Sequence, residues 1–302
     1  MTNTQLPQLR HPPRFREVLR EQIKATALVL RVPALGLAAL GAVATMLALA
    51  DFFRGHGGVE FAPDLSMVPA FAGLLLPFAI WHGEKRFGPG FLWTLPVDRT
   101  RHAFAKVFAG WLLLMIAAVA FVLWLLILAL ITKGNITSDE MVRLLPSYTV
   151  PPPRTLDPSM LRSVRWVPNP LLWLVPFSAA TGTYAFGSAI ALGLKYPFRW
   201  IIGAIAGAFL IAAVGHGVGS EKLALQLGHL LETMMFGRFG VDGLLTARAE
   251  SLKTMVQLTN EEVVGVWRGL PVVSEWLAAT LLWTGLAVAG LFAALMRHRE
   301  RR

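Results

Sequence analysis

The sequence predicts an all-α fold, a polytopic membrane bundle of six transmembrane helices with both termini in the cytoplasm. Composition is the first ground. Of 302 residues, 55% are hydrophobic and only 15% charged, and the mean hydropathy is +0.57. A soluble domain carries about 25% charged residues. The second ground is six long, predominantly apolar runs, each close to the ~20 residues that cross a hydrocarbon core. The third is the sorting of cations between the loops on the two sides.

The six runs cover 27–50, 65–82, 107–132, 171–194, 199–217 and 276–296. Within hydrocarbon the backbone must satisfy its own hydrogen bonds, so each run is expected to be helical despite its Val and Ile content. A closed barrel would need alternating segments of about 10 residues, and the sequence has none. Residues 1–24 are polar and basic, with no cleavage site beside the first run, so no signal peptide is expected.

Charge sets the orientation. With six spans, both termini share a side with the loops 82–106 and 195–199. That side carries 16 Lys and Arg against five acids, whereas the other carries 11 cations against 13 acids. Arg31, near the inner end of the first span, can snorkel to the headgroups. The positive side is cytoplasmic. Orientation thus absorbs the whole net charge of +10, and no nucleic-acid partner is implied.

Between the spans, residues 13–24 place Phe15, Val18, Leu19 and Ile23 at helical spacing among charges. This predicts a cytoplasmic amphipathic helix within residues 1–26, lying on the membrane surface. The outer loop 133–170 holds seven prolines and is expected to be an extended cover. The outer segment 218–271 is expected to be helical, with a leucine stripe from Leu223 to Met234 and a second helix over 243–258. The chain then closes with the sixth span and a basic cytoplasmic tail, within 272–302.

The functional signal lies in the cytoplasmic loop 83–103. Trp81-His82-Gly83-Glu84-Lys85-Arg86-Phe87 is followed by Phe91-Leu92-Trp93-Thr94-Leu95-Pro96-Val97-Asp98-Arg99-Thr100-Arg101. Pro96 stops one segment and Asp98 is suited to cap the next helix. A compact elbow joined rigidly to two membrane helices suits a docking surface that passes force into the bundle.

Leu95-Pro96-Val97-Asp98-Arg99, after Glu84 and before Lys106, resembles the Leu-Pro-Val/Ile-Ser/Thr-Arg element of ABC-2-type ABC transporter permeases. That element lies between their second and third spans. Asp98 stands where the family has Ser or Thr, all three being N-cap formers. The resemblance implies a membrane-spanning permease subunit of an exporter in a bacterial inner membrane. It implies a separate ATP-binding cassette ATPase subunit, docked on a coupling helix, and a second six-span half forming a homo- or heterodimer. The expected coupling residues are Glu84, Arg86, Leu95, Pro96, Asp98, Arg99 and Arg101. The chain has no G-x-x-x-x-G-K-[ST] sequence, so it is not expected to be an enzyme itself.

Gly203 and Gly207, and the row Ala179, Thr183, Gly187, are small-residue faces for helix packing or a dimer seam. No cofactor is expected, because no two histidines share a helix at ligating spacing. No charge falls at mid-depth in any expected span. Glu275 and Asp64 sit at outer boundaries, and most tryptophans fall near interfaces, where membrane lipids would meet them. The rival reading is a structural or assembly membrane subunit of a larger complex, without its own transport path.

Overall fold

The computed structural model describes residues 15–55, 58–59, 66–81, 99–134, 140–144, 155–167, 169–194, 239–247, 254–258, 263–266 and 270–300, with scattered positions between 196 and 235. The chain is mostly helical, with helices α1 Phe15–Phe53, α2 Met67–Trp81, α3 Arg99–Ile131, α4 Val175–Gly193, α5 Val241–Thr246 and α6 Val273–Glu300. Three helices, within α1, α3 and α6, are long and apolar enough to cross a membrane. Their outer faces expose large apolar side chains along much of their length, among them Leu28, Val32, Ile127, Leu130, Leu281 and Phe292. Such a surface is suited to lipid rather than water. The molecule is a helical membrane protein.

Helix α1 is one unbroken rod of 39 residues. The amphipathic stretch therefore forms its first turns and is not a separate helix. No Gly or Pro interrupts residues 15–32, and the Glu21–Lys24 ion pair (2.8 Å) bridges one turn. The first proline, Pro33, comes only after about five turns. Helix α2 is a shorter apolar helix of 15 residues. A 3₁₀ turn, Pro170–Leu174, leads into α4. Its start is capped by the Asn169 side chain, which accepts from the Leu171 N–H at 3.0 Å.

Contacts between helices give their directions. The Arg101 guanidinium lies over the Phe15 ring, 5.8 Å from its centroid, and Trp124 Nε1 donates to Thr45 Oγ1 at 2.9 Å. Helices α1 and α3 therefore run parallel. Gly73 lies against Ala180 and Gly187 against Leu74 and Pro77, so α2 runs parallel to α4. Trp276 Nε1 donates to Ser178 Oγ at 3.3 Å, and Gly193 lies against Ala294, which aligns α6 with both. Tyr184 binds Val107 and Trp111 binds Thr181, so α3 runs against α4. The bundle thus has a Trp81 end, where α1 and α3 begin and α2, α4 and α6 finish. It also has a Trp276 end with the opposite arrangement.

Helix α5 is packed at the Trp276 end. Gly182 of α4 faces Leu244, Gly243 faces Ala279 of α6, and the Ser66 hydroxyl donates to the Leu245 carbonyl. Because α4 finishes at the Trp81 end, the 194–240 interval must carry the chain back across the bundle. The expected fifth span lies in this interval, and its described residues 199–200, 202–203, 206–207 and 210 are helical.

Two small sheets correct the all-α expectation. Strands β1 Glu140–Leu144 and β3 Arg162–Trp166 pair antiparallel. Strand β2 Thr155–Leu156 pairs parallel with β4 Thr254–Leu258, which pairs antiparallel with β5 Val263–Val266. The expected helix over 243–258 is also corrected. Helix α5 stops at Thr246, where Ala247 turns left-handed at φ 55°. Residues 254–258 are a strand instead. Val256, Val263, Val264 and Val266 favour a pleated surface once a partner strand is present. Trp166 at the end of β3 packs on Leu172, Val175, Ala247 and Trp276, fixing the first sheet to the Trp276 end. Between the sheets, the Asp157 carboxylate accepts from the Ser159 N–H and hydroxyl, which holds it below the usual carboxylate range.

Candidate functional site

The Trp81 end holds the base from which segment 82–98 leaves and returns. Helix α2 finishes at Trp81, which is 2% exposed. Helix α3 begins at Arg99, and about two turns later Lys106 lies with its Nζ 4.5 Å from the centroid of the Trp81 ring. Lys106 is only 8% exposed. An ammonium taken out of water needs compensation, and a desolvated aromatic face supplies about 2 kcal/mol. Ala103, Ala105 and Ala109, all buried, let the backbone of α3 come close around this lysine.

A second fastening adjoins the first. Tyr184 Oη of α4 donates to the Val107 carbonyl of α3 at 2.7 Å, deep in the bundle. Gly110 leaves room for it: a Cβ there would stand 2.3 Å from Tyr184 Oη and 2.5 Å from Ile80 Cδ1. Helices α2, α3 and α4 are thus joined within a few residues of the two ends of segment 82–98. Ile80, Trp81, Ala103, Val107, Tyr184, Leu192 and Leu295 share one core cluster there, with Leu30 of α1 packed against it. Arg101 reaches the start of α1 through the Phe15 ring.

Of the expected coupling residues, Glu84, Arg86, Leu95, Pro96 and Asp98 lie outside the described residues. Arg99 opens α3, and Arg101 stands over Phe15. The two small-residue rows occupy different places. Ala179, Thr183 and Gly187 lie on α4, and there Gly187 and Thr183 meet α2 directly. A Cβ on Gly187 would be 2.5 Å from the Leu74 carbonyl oxygen, and a Cβ on Gly73 would be 2.6 Å from Thr183 Oγ1. Thr183 returns its hydroxyl to the Ala179 carbonyl at 2.8 Å. Gly203 and Gly207 have nothing within 4 Å of their Cβ positions.

Sequence reasoning missed the partners of Lys106 and Tyr184. Lys106 was visible only as the last cation before an apolar run, and Trp81 only as an interfacial aromatic. It also passed over Asp242 in the outer segment 218–271, whereas the structure buries it to 8% exposure on α5. There Thr246 Oγ1 donates to Asp242 Oδ1 at 2.7 Å. The local signal was the i, i+4 spacing of Asp242 and Thr246 beside Gly243. Among the described residues no group of His, Cys, Asp and Glu is arranged to hold a metal ion. The chain matches no family model, no curated protein and no solved structure.

Proposed function

We propose that this helical membrane protein is the permease subunit of an ABC-2-type exporter. A separate ATP-binding cassette ATPase drives it, and it works beside a second six-span half in a bacterial inner membrane. The observation that carries this reading is the doubly fastened base of segment 82–98. A segment pushed by a motor transmits displacement only if its two ends are fixed to the elements that must move. Trp81 against Lys106 ties α2 to α3, and Tyr184 on Val107 ties α3 to α4. A push on the segment would therefore move three helices as one body. The resemblance of Leu95-Pro96-Val97-Asp98-Arg99 to the family element supports the docking role. The return of the chain across the bundle between α4 and α5 supports six passes, and the charge sorting supports cytoplasmic termini.

The test is co-purification followed by charge reversal. The full-length protein, expressed with its genomic neighbours, is expected to retain an ATP-binding cassette ATPase. Glu84→Lys and Arg99→Glu are expected to leave ATP turnover running while transport falls at least about tenfold, since a mispaired charge at a docking surface costs more than 1.4 kcal/mol. If no ATPase accompanies the protein, or if transport is unchanged in both variants, the coupling role is wrong.

A further inference from the structure

Helix α1 bears a shallow cavity of about 640 Å³ lined by Lys24, Ala27, Leu28, Arg31, Ala34 and Leu35. The six positions repeat at seven-residue spacing and so form one stripe along the helix. Two cations sit on that stripe two turns apart, about 10 Å along the axis. Helical side chains lean toward the N-terminus of their helix. That lean favours a shared groove for Arg31 and Lys24, with the small Ala27 between them. Among the described residues the one ion pair here is Lys24 with Glu21, both largely exposed. That pairing uses one of the three donors of the ammonium, and Arg31 forms no ion pair with a described residue. Beyond Arg31 the stripe continues as Ala34 and Leu35; Leu28 on the stripe and Val32 beside it are 71% and 76% exposed.

From this arrangement we infer that the α1 groove is a site for an acidic glycerophospholipid of the leaflet that meets the start of α1. The phosphodiester lies between Lys24 and Arg31, and an acyl chain runs along Ala34 and Leu35. The inference goes beyond the transport reading and rests only on membrane embedding and on α1 entering from the positive side. Charge complementarity selects the occupant. An arginine within an apolar run is costly unless an anion or water meets it. A phosphate at headgroup level is the anion that the membrane itself supplies, and a guanidinium binds it through two donors at once. A zwitterionic lipid offers the same phosphate beside its own cation, which competes with Lys24.

Native mass spectrometry of the full-length protein in detergent tests this, with phosphatidylglycerol or phosphatidylcholine of matched acyl chains as titrants. The wild type is expected to hold phosphatidylglycerol about tenfold or more tightly than phosphatidylcholine. A Lys24→Gln/Arg31→Gln protein is expected to lose that preference. Ala27→Trp, which fills the groove and keeps both charges, is expected to weaken phosphatidylglycerol binding as well. Arg54→Gln, a cation just past the far end of α1, is expected to keep the preference. Absence of preference in the wild type, its persistence in the double variant, or equal loss in Arg54→Gln would each overturn the site. So would an Ala27→Trp protein that keeps its lipid preference but loses a protein partner, since the groove would then be a protein contact.

Discussion

Helices α1 and α4 belong to one bundle but are held in opposite ways. Helix α1 buries only Thr26 among its 39 residues, whereas α4 buries eleven of nineteen. Yet α1 is among the three helices apolar enough to cross a membrane and α4 is not. Apolarity therefore does not decide which helix lies at the centre. Lipid tails are as apolar as leucine, so helices gain little by hiding apolar surface from them. What centres α4 is close backbone approach, at Gly73 on Ala180 and Gly187 on Leu74, with Gly182 admitting the Leu244 side chain. Helix α1 carries glycines too, but Gly36 and Gly41 have nothing within 4 Å of their Cβ positions. It meets the bundle at separate points, through Phe15, the buried Thr26, Leu30 on the core cluster and the Thr45–Trp124 bond.

The glycines offer the most severe test of that contrast. Gly187→Leu and Gly73→Leu drive side chains into backbone carbonyl oxygens at 2.5 and 2.6 Å. Each is expected to cost about 3 kcal/mol or more, seen as loss of folded protein in thermal unfolding in detergent. Gly36→Leu and Gly41→Leu are expected to stay within about 0.5 kcal/mol of the wild type. Equal damage from both pairs would show that α1 is packed as tightly as α4.

A smaller effect is expected where α4 meets α3. Gly110→Ala places a methyl in the path of Tyr184 Oη, which can yield by rotating away, so about 1–3 kcal/mol is expected. Tyr184→Phe removes one hydrogen bond from a carbonyl already inside a helix, and about 1 kcal/mol is expected. If Gly110→Ala cost no more than Tyr184→Phe, the glycine would not be there to admit the tyrosine.

The smallest effect belongs to α1. Thr45→Val removes the acceptor of Trp124 Nε1 and is expected to cost about 1 kcal/mol or less of global stability. It is expected to speed amide exchange in α1 while leaving α4 unchanged. Exchange that quickens equally in both helices would mean that α1 is an integral part of the core.

The sequence by itself determined the membrane setting and the approximate positions of helices α1, α2, α3, α4 and α6. These follow from a property carried along the chain, its long apolar runs. Tertiary structure alone decided that Lys106 is covered by Trp81, that Tyr184 reaches Val107, that Asp242 is buried and that Thr254–Leu258 is a strand. A lysine before an apolar run reads the same whether it faces headgroups or an indole. Residues 254–258 read as part of a helix, and only the pairing with β5, which satisfies their backbone, makes them a strand. Which small residue meets another backbone depends on how whole helices pack, and that is settled by pairs of residues as much as 179 positions apart, as Ser66 and Leu245 are.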